Sequence, residues 1–415
     1  MADETFRKEI NSTALLVLVW FAIVLRVLEV DGLVEYPLLS EVYDEMIRCY
    51  RCGFCRAACP IFESLGVESW NARGRILLLL ALLDNSIEVS DSFIDRVYSC
   101  SLCKECEILC PPGVDVSGIV EAARQELVRM GLAPPEEQKE MRRNILQAGN
   151  VLGKRTEPLD SLLGPVVRSI PDSSPNLLYS GCVTLYSYSQ IGRVTLGILK
   201  DAGYDYTVMK DGERCCGGFL KMIGYRDDFD SYSQKQLDLL QERGTDQIIT
   251  ICPMCYSTFK HDYPRRGIEV KHTVNLYTEL LDEGKIRFNK ALNAKIVFHD
   301  SCHLGRYSGM FEEPRKLIEN IPGAKLVELS NSRESSKCCG GTIRVPYARI
   351  RSKMSERIIE DASKVGADYL VTACPSCFHN LYSTSILMDC DVKIVTLEEL
   401  VGYASGQIEK IPLYK

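Results

Sequence analysis

The chain has no surplus of positive charge, no apolar run long enough to span a bilayer, and no glycine-rich nucleotide fingerprint. Lys and Arg number 49 against 56 Asp and Glu, a formal net charge of −7. Nucleic-acid binding needs a basic face to meet phosphates, so that class is excluded. Mean hydropathy is −0.05, which excludes a polytopic membrane protein. No G-x-G-x-x-G follows a strand-like run, so the chain is not expected to accept a hydride itself.

The main apolar run is Ala14–Leu25 (ALLVLVWFAIVL). Twelve helical residues reach about 18 Å, short of the roughly 30 Å bilayer core. Extending the run to Val30 puts Arg26 and Glu29 near one edge, where Arg26 can snorkel. Two readings stay open for 1–40: a buried or partner-docking helix, or a shallow membrane anchor. No small-residue cleavage site follows, so a removed signal peptide is not expected. The expected location is the cytoplasm, with peripheral attachment at the inner face of the cell membrane if the segment is an anchor.

The abundant residue is cysteine, with 19 among 415 residues. A chain of this length holds two to four domains, and its thiols fall into ordered motifs rather than a small secreted framework, so metal or redox cofactors are expected. Cys49-Tyr-Arg-Cys52-Gly-Phe-Cys55-Arg-Ala-Ala-Cys59-Pro60 and Cys100-Ser-Leu-Cys103-Lys-Glu-Cys106-Glu-Ile-Leu-Cys110-Pro111 both read C-x2-C-x2-C-x3-C-P. In ferredoxins with this run, three thiolates hold one iron–sulfur cube and the fourth reaches the other cluster. One [4Fe–4S] cubane is therefore assigned to Cys49, Cys52, Cys55 and Cys110. The other is assigned to Cys100, Cys103, Cys106 and Cys59. Zinc sites use paired C-x2-C units instead. Arg75–Leu83 and Val116–Leu132 carry helical periodicity, so residues 41–132 are expected to form a mostly helical two-cluster domain.

Residues 133–175 carry six prolines (Pro134, Pro135, Pro158, Pro165, Pro171 and Pro175) and a polar run, and read as a linker holding one helix. The remainder repeats with a period of about 120 residues. The first copy, 176–285, has Cys182, Cys215-Cys216-Gly217-Gly218 and Cys252-Pro-Met-Cys255. The second, 286–415, has Cys302, Cys338-Cys339-Gly340-Gly341 and Cys374-Pro-Ser-Cys377. Each copy alternates short apolar strands (NLLYS, QIITI; KIVFH, YLVTA) with helices (230–243; 348–365), which predicts α/β layers. Cysteines fall at strand ends, where such sheets bind cofactors. The paired glycines permit close backbone approach and unusual φ. Five thiols per copy exceed the four of a zinc site. His299 and His303 flank Cys302 as proton donors or as structural histidines. His379 is a weaker candidate, and Cys390 reads as a buried free thiol.

These spacings resemble the cysteine-rich CCG domain. A ferredoxin pair followed by two such domains resembles the heterodisulfide reductase D-subunit family, and also the iron–sulfur subunits of glycolate oxidase, anaerobic glycerol-3-phosphate dehydrogenase and thiol:fumarate reductase. The Asn71–Arg75 segment (NARGR) resembles the glycolate oxidase side. The resemblance implies an α+β multidomain chain whose CCG cysteines hold two noncubane [4Fe–4S] clusters facing one disulfide. Cys182, Cys215, Cys216, Cys252 and Cys255 would hold one; Cys302, Cys338, Cys339, Cys374 and Cys377 the other. Both C-P-x-C pairs are complete, as in the disulfide-reducing branch, although the second gap of the second copy is one residue short of the usual spacing. Two functions follow: a disulfide reductase subunit, or a relay subunit of a flavin-dependent 2-hydroxyacid or glycerol-phosphate dehydrogenase feeding quinone. The expected partner is a flavoprotein or a membrane cytochrome or quinone-reactive subunit, in a hetero-oligomer, with a small-molecule disulfide as a candidate substrate.

Overall fold

The computed structural model describes residues 35–264, 266–343 and 345–412. The apolar run at 14–25 lies outside the described residues.

Among the described residues, those before 133 form helices and no strand. Ala72–Leu83 and Val116–Arg129 are the two long ones. Asn71 Oδ1 accepts from Gly74 N, and Asp115 Oδ1 from Gly118 N, so each helix starts on a side-chain cap. Ile76, Leu79 and Leu83 on one helix and Ile119, Val120, Ala123 and Leu127 on the other are buried in a common core. That core continues without a break into Leu177, Phe219 and Leu220 of the first repeat.

Each repeat is built on a small parallel sheet. The first has β1 (Asn176–Tyr179), β2 (Gln247–Thr250) and β3 (Glu269–His272) in that order. The second contains β4 (Ala294–Phe298), β5 (Ala324–Leu326), β6 (Tyr369–Thr372) and β7 (Lys393–Thr396), in the order β5-β4-β6-β7. The apparent difference in strand number is small. Leu177 makes a parallel bridge to Thr207, so 207 occupies the edge that β5 fills in the second copy. The register repeats too, with Thr250 opposite His272 and Thr372 opposite Thr396. His272 Nδ1 and Thr396 Oγ1 then cap the following helices.

The two sheets share one core. Leu178, Ile249 and Val274 belong to the same buried cluster as Phe298, Val371 and Val395. At the seam, Thr273 Oγ1 donates to Glu398 Oε1 over 3.1 Å. Burial raises the Glu398 carboxyl to about 8, so at neutral pH it is largely protonated.

The stretch read as a linker has structure. Glu136–Ala148 is a helix of 13 residues. Arg142 pairs with Asp228 of the first repeat, and Gln138 Nε2 reaches Val345 O of the second over 3.4 Å. Cys215 N donates to Gly149 O over 2.6 Å. The prolines mark its boundaries: Pro135 is the N-cap, and Pro158 precedes the next short helix.

Candidate iron–sulfur centres

The two ferredoxin-type loops have the same backbone trace. Arg51 (φ 56°) and Gly53 (φ 88°) are left-handed in the first; Leu102 (φ 51°) and Lys104 (φ 62°) are left-handed at the matching positions of the second. Such conformations cost a non-glycine residue on the order of 1–3 kcal/mol and persist where the surroundings over-determine them. They curl each loop about its own thiols. Cys59 lies at the N-cap of helix Pro60–Leu65, one step beyond its loop. A single recess is lined by Cys59 together with Cys100, Cys103 and Cys106. Burial pushes the Cys59 and Cys106 thiols up; Arg75 opposes this at Cys59, whereas the neighbouring thiols add to it at Cys106. Cys49, Cys55 and Cys110 are half-buried, and Cys52 is exposed.

The NARGR segment braces both loops. Arg73 Nη1 donates to Arg51 O over 2.8 Å, and its Nε pairs with Glu68 at 2.7 Å. Arg75, almost fully buried, donates to Arg96 O and Ser99 Oγ beside the second loop. A Cβ on Gly74 would stand 2.1 Å from Glu68 O, so only glycine fits there. Sequence reading noted this segment for its resemblance alone. Two arginines close behind the first loop were the available signal.

The second loop docks on the second repeat. Tyr307 donates to Leu102 O at 2.7 Å, Thr342 to Ser101 O at 2.8 Å, and Lys337 pairs with Glu105 at 2.7 Å. Cys103 and Cys338 are in side-chain hydrogen-bond contact, which together with burial drives the Cys103 thiol well above its ordinary range.

All ten repeat cysteines line one cavity. Cys252 and Cys374 sit at the N-caps of helices that begin with Pro253 and Pro375, just past the ends of β2 and β6. Their side chains hydrogen-bond each other across the seam between repeats. Cys255 and Cys374, assisted by the Cys255 and Met254 backbone N–H groups, hold the Cys252 thiol well below its ordinary range despite burial. Cys216 is lowered by hydrogen bonds from Cys215 and Cys255, and Cys339 by those from Cys338 and Cys377. Cys339 and Cys377 sulfurs lie 3.1 Å apart, well beyond the roughly 2.05 Å of a disulfide. A donor set of buried soft thiols, more than zinc takes in each repeat, fits iron–sulfur ligation.

Gly217 (φ 77°) and Gly340 (φ 78°) are left-handed at the two Cys-Cys-Gly turns. Beyond them, a Cβ on Gly218 would meet Thr258 Oγ1 at 2.2 Å, whereas one on Gly341 would find Ser376 Cβ at 3.4 Å. Glu213 escaped sequence reading. Its buried carboxylate accepts from Ser180 N and Gly181 N, both at 3.0 Å, and fixes the turn before Cys182.

The histidines divide. A ring nitrogen of His299 and the sulfurs of Cys339 and Cys377 lie within 4.8 Å of one another. His303 lines the cavity, with Nδ1 2.8 Å from Ser257 Oγ. Burial lowers His303 to about 4, so it is neutral at pH 7 rather than a store of protons. His379 Nδ1 bonds Tyr188 Oη at 2.6 Å and is not among the cavity residues. Cys390 is half-buried, near Ser363 Oγ at 3.4 Å.

Fold and thiols together define an iron–sulfur electron-transfer protein. A 4Fe-4S dicluster domain matches residues 45–114, and the CCG cysteine-rich domain matches 177–260 and 296–382. The D subunit of the dihydromethanophenazine:CoB–CoM heterodisulfide reductase of Methanosarcina barkeri is 30% identical over 387 residues, covering 87% of this chain and 94% of that one. The chain belongs to the heterodisulfide reductase D-subunit family. The B subunit of the CoM/CoB fumarate reductase of Methanothermobacter marburgensis is 26% identical across 86% of this chain and 72% of its own. The EtfAB:quinone oxidoreductase of Syntrophomonas wolfei is 25% identical across 79% of this chain and 54% of its own. A Helicobacter pylori hypothetical protein shares the fold, with a TM-score of 0.52 over 80% of this chain and 68% of that one at 12% identity. No helix among the described residues is long and apolar enough to cross a membrane.

Proposed function

We propose that this chain is the disulfide-reducing subunit of a hetero-oligomeric oxidoreductase. The observation that carries the reading is the single cavity lined by the ten cysteines of both repeats, with Cys252 against Cys374. A relay needs one carrier after another; a pair of centres opening on one space suits cleavage of one bond by two electrons.

The ligands are those assigned from spacing and resemblance: Cys49, Cys52, Cys55 and Cys110, then Cys59, Cys100, Cys103 and Cys106 for two cubanes. Cys182, Cys215, Cys216, Cys252 and Cys255, then Cys302, Cys338, Cys339, Cys374 and Cys377 hold two noncubane clusters. When bound, such clusters supply one-electron carriers of tunable potential. The contact of Cys103 with Cys338 gives electrons a short bridge from the ferredoxin-type region to the cavity. The partner is a flavoprotein or a quinone-reactive membrane subunit. Gly217, Gly218, Gly340 and Gly341 let the backbone approach the clusters. Of the two histidines that flank Cys302, His303 lines the cavity, and His299 lies beside Cys339 and Cys377, where its ring hydrogen-bonds the Cys339 thiol.

Reduced viologen with a panel of disulfides tests this on anaerobic protein. Cys252→Ala and Cys374→Ala should each abolish turnover while the cubanes still take up electrons. Full turnover with either CCG site destroyed contradicts the proposal. A second reading, a relay to quinone, draws on the similarity to the EtfAB:quinone oxidoreductase. Quinone reduction surviving in both variants would favour it.

A further inference from the structure

The two ferredoxin-type loops share a backbone trace but not a setting. The second is closed off. Tyr307, Thr342 and Lys337 of the second repeat hold it, and Arg306 Nε donates to Cys103 O over 2.5 Å. The first loop turns outward. Of the nineteen cysteines, Cys52 alone is exposed. Electron transfer to or from a large partner falls off steeply with distance, so it needs a cluster near the surface. The first loop meets that condition.

The surface around this loop is apolar. Tyr50 is 73% and Phe54 59% exposed, and Ile47, Ile108 and Leu109 are about half exposed. Three segments bring them together. Arg48 Nη2 donates to Pro112 O over 2.5 Å, which ties the end of helix Tyr43–Ile47 to the stretch after Leu109. Helix Phe54–Ala58 packs on helix Glu105–Ile108. Ten large apolar side chains are exposed among the described residues, and these five stand around one loop. Grouped exposure rimmed by charge marks an interaction surface; scattered single residues do not.

The rim is basic, on a chain of net charge −7. Arg48, Arg51, Arg56 and Arg73 stand on or behind the loop. Glu45 pairs with Arg48, and Glu68 is shared by Arg56 and Arg73. Glu63 is drawn off by Arg357 of the second repeat at 2.9 Å. Arg51 is exposed and pairs with no carboxylate among the described residues.

We propose that the surface around the first loop is the docking site of the redox partner, and that this partner presents an apolar patch rimmed by carboxylates over its own one-electron centre. Tyr50, Phe54, Ile47, Ile108 and Leu109 meet the patch, and Arg51 with its neighbours meets the carboxylates. Electron-transfer contacts are small, burying less than about 1,200 Å², so a few exposed side chains can govern them. One electron crosses per encounter: the partner's centre loses it, the first-loop cluster gains it, and no bond forms or breaks. This goes beyond the disulfide reading and does not need it, because a reductase and a relay would both pass electrons through this port.

The test uses anaerobic, cluster-loaded full-length protein, with isotope-labelled flavodoxin as an acidic carrier and cytochrome c as a basic one. All are oxidised, so NMR line broadening reports binding without turnover. Flavodoxin should bind more tightly than cytochrome c, and added salt should weaken it. Arg51→Glu should weaken flavodoxin about tenfold and flatten the salt dependence, whereas Arg51→Lys should change neither. Tyr50→Ser and Phe54→Ser should each weaken it about tenfold with the salt dependence kept. Leu387→Ser, at a residue 77% exposed near the end of helix Pro375–Met388, should change nothing. Iron content equal to the parent's shows that each variant is intact, and Ile47→Ser, ahead of the first ligand, repeats the test should a loop variant lose iron. Equal binding of the two carriers, a preference for cytochrome c, or an equal loss in Leu387→Ser would overturn the proposal. So would lost binding to phosphatidylglycerol vesicles, or a changed oligomeric state, in place of lost flavodoxin binding, since these give the face to a bilayer or to a second copy. Disulfide turnover with reduced viologen bypasses the port, so its presence or absence bears on the reductase reading alone.

Discussion

The ferredoxin-type loops and the CCG cavity solve the same ligation problem over very different lengths of chain. Each loop gathers three thiols within seven residues, and its left-handed turns, at Arg51 and Gly53 or Leu102 and Lys104, do the gathering locally. The cavity collects ten thiols from six separate segments between Cys182 and Cys377, and it exists only because two sheets share one core. Local sites tolerate distant damage. A site assembled at a seam between repeats depends on every strand end that delivers a cysteine to it.

The largest effect that could break this contrast lies at the one place where the loops are not local. Cys59→Ser should abolish the cluster of the second loop, and Cys110→Ser that of the first, each leaving its own loop's cluster in place. EPR on anaerobic protein distinguishes the two. Loss confined to the mutated motif would make both sites wholly local.

Next comes the glycine pair that the repeats do not share equally. Gly218→Ala meets Thr258 at 2.2 Å and should destabilise by about 1–3 kcal/mol, lowering Tm by several degrees. The matching Gly341→Ala meets Ser376 at an ordinary 3.4 Å and should shift Tm by a degree or less. Neither glycine is left-handed, so packing alone separates them. Equal losses would show that the repeats are packed alike.

The seam itself titrates. Burial raises Glu398 to about 8 in the fold, against about 4.3 in an unfolded chain. The folded state therefore holds a proton that the unfolded state has released. Stability is full below about pH 4 and falls as pH rises toward 8. Glu398→Gln keeps a hydrogen-bonding group at Thr273 and should remove that slope, gaining about 3–5 kcal/mol at pH 8 and about 1 kcal/mol at pH 5. Thermal melts at the two pH values check it; an unchanged slope would place the titrating group elsewhere. The smallest effect belongs to the helix Glu136–Ala148: Arg142→Ala loses a partly exposed pair with Asp228 and should cost less than about 1 kcal/mol.

What could be read from sequence follows the same division. The loops, the helices at 72–83 and 116–129 and the strands β1, β2, β4 and β6 carry their pattern in adjacent residues. The paired sheets were legible through repetition. The edge strands β3, β5 and β7 were not named, because short half-exposed strands such as β3 (EVKH) and β5 (AKL) have weak alternation. Residues 133–175 read as a linker from their prolines, since what the helix Glu136–Ala148 covers is set by the two repeats it touches. Met141 and Val151 become cavity residues only when both repeats are in place. Arg73 and Arg75 show the same limit, since their partners Arg51 O, Arg96 O and Ser99 Oγ are set by tertiary packing.

The central claim is that both repeats bind clusters that open on one cavity. Iron anomalous diffraction from crystals of anaerobically loaded protein tests it most directly. The account predicts four iron centres, two at the ferredoxin-type loops and two within the ten-cysteine cavity, one against Cys182, Cys215, Cys216, Cys252 and Cys255 and one against Cys302, Cys338, Cys339, Cys374 and Cys377. Zinc in either CCG site, or a repeat whose five thiols hold no iron in fully loaded protein, would contradict it.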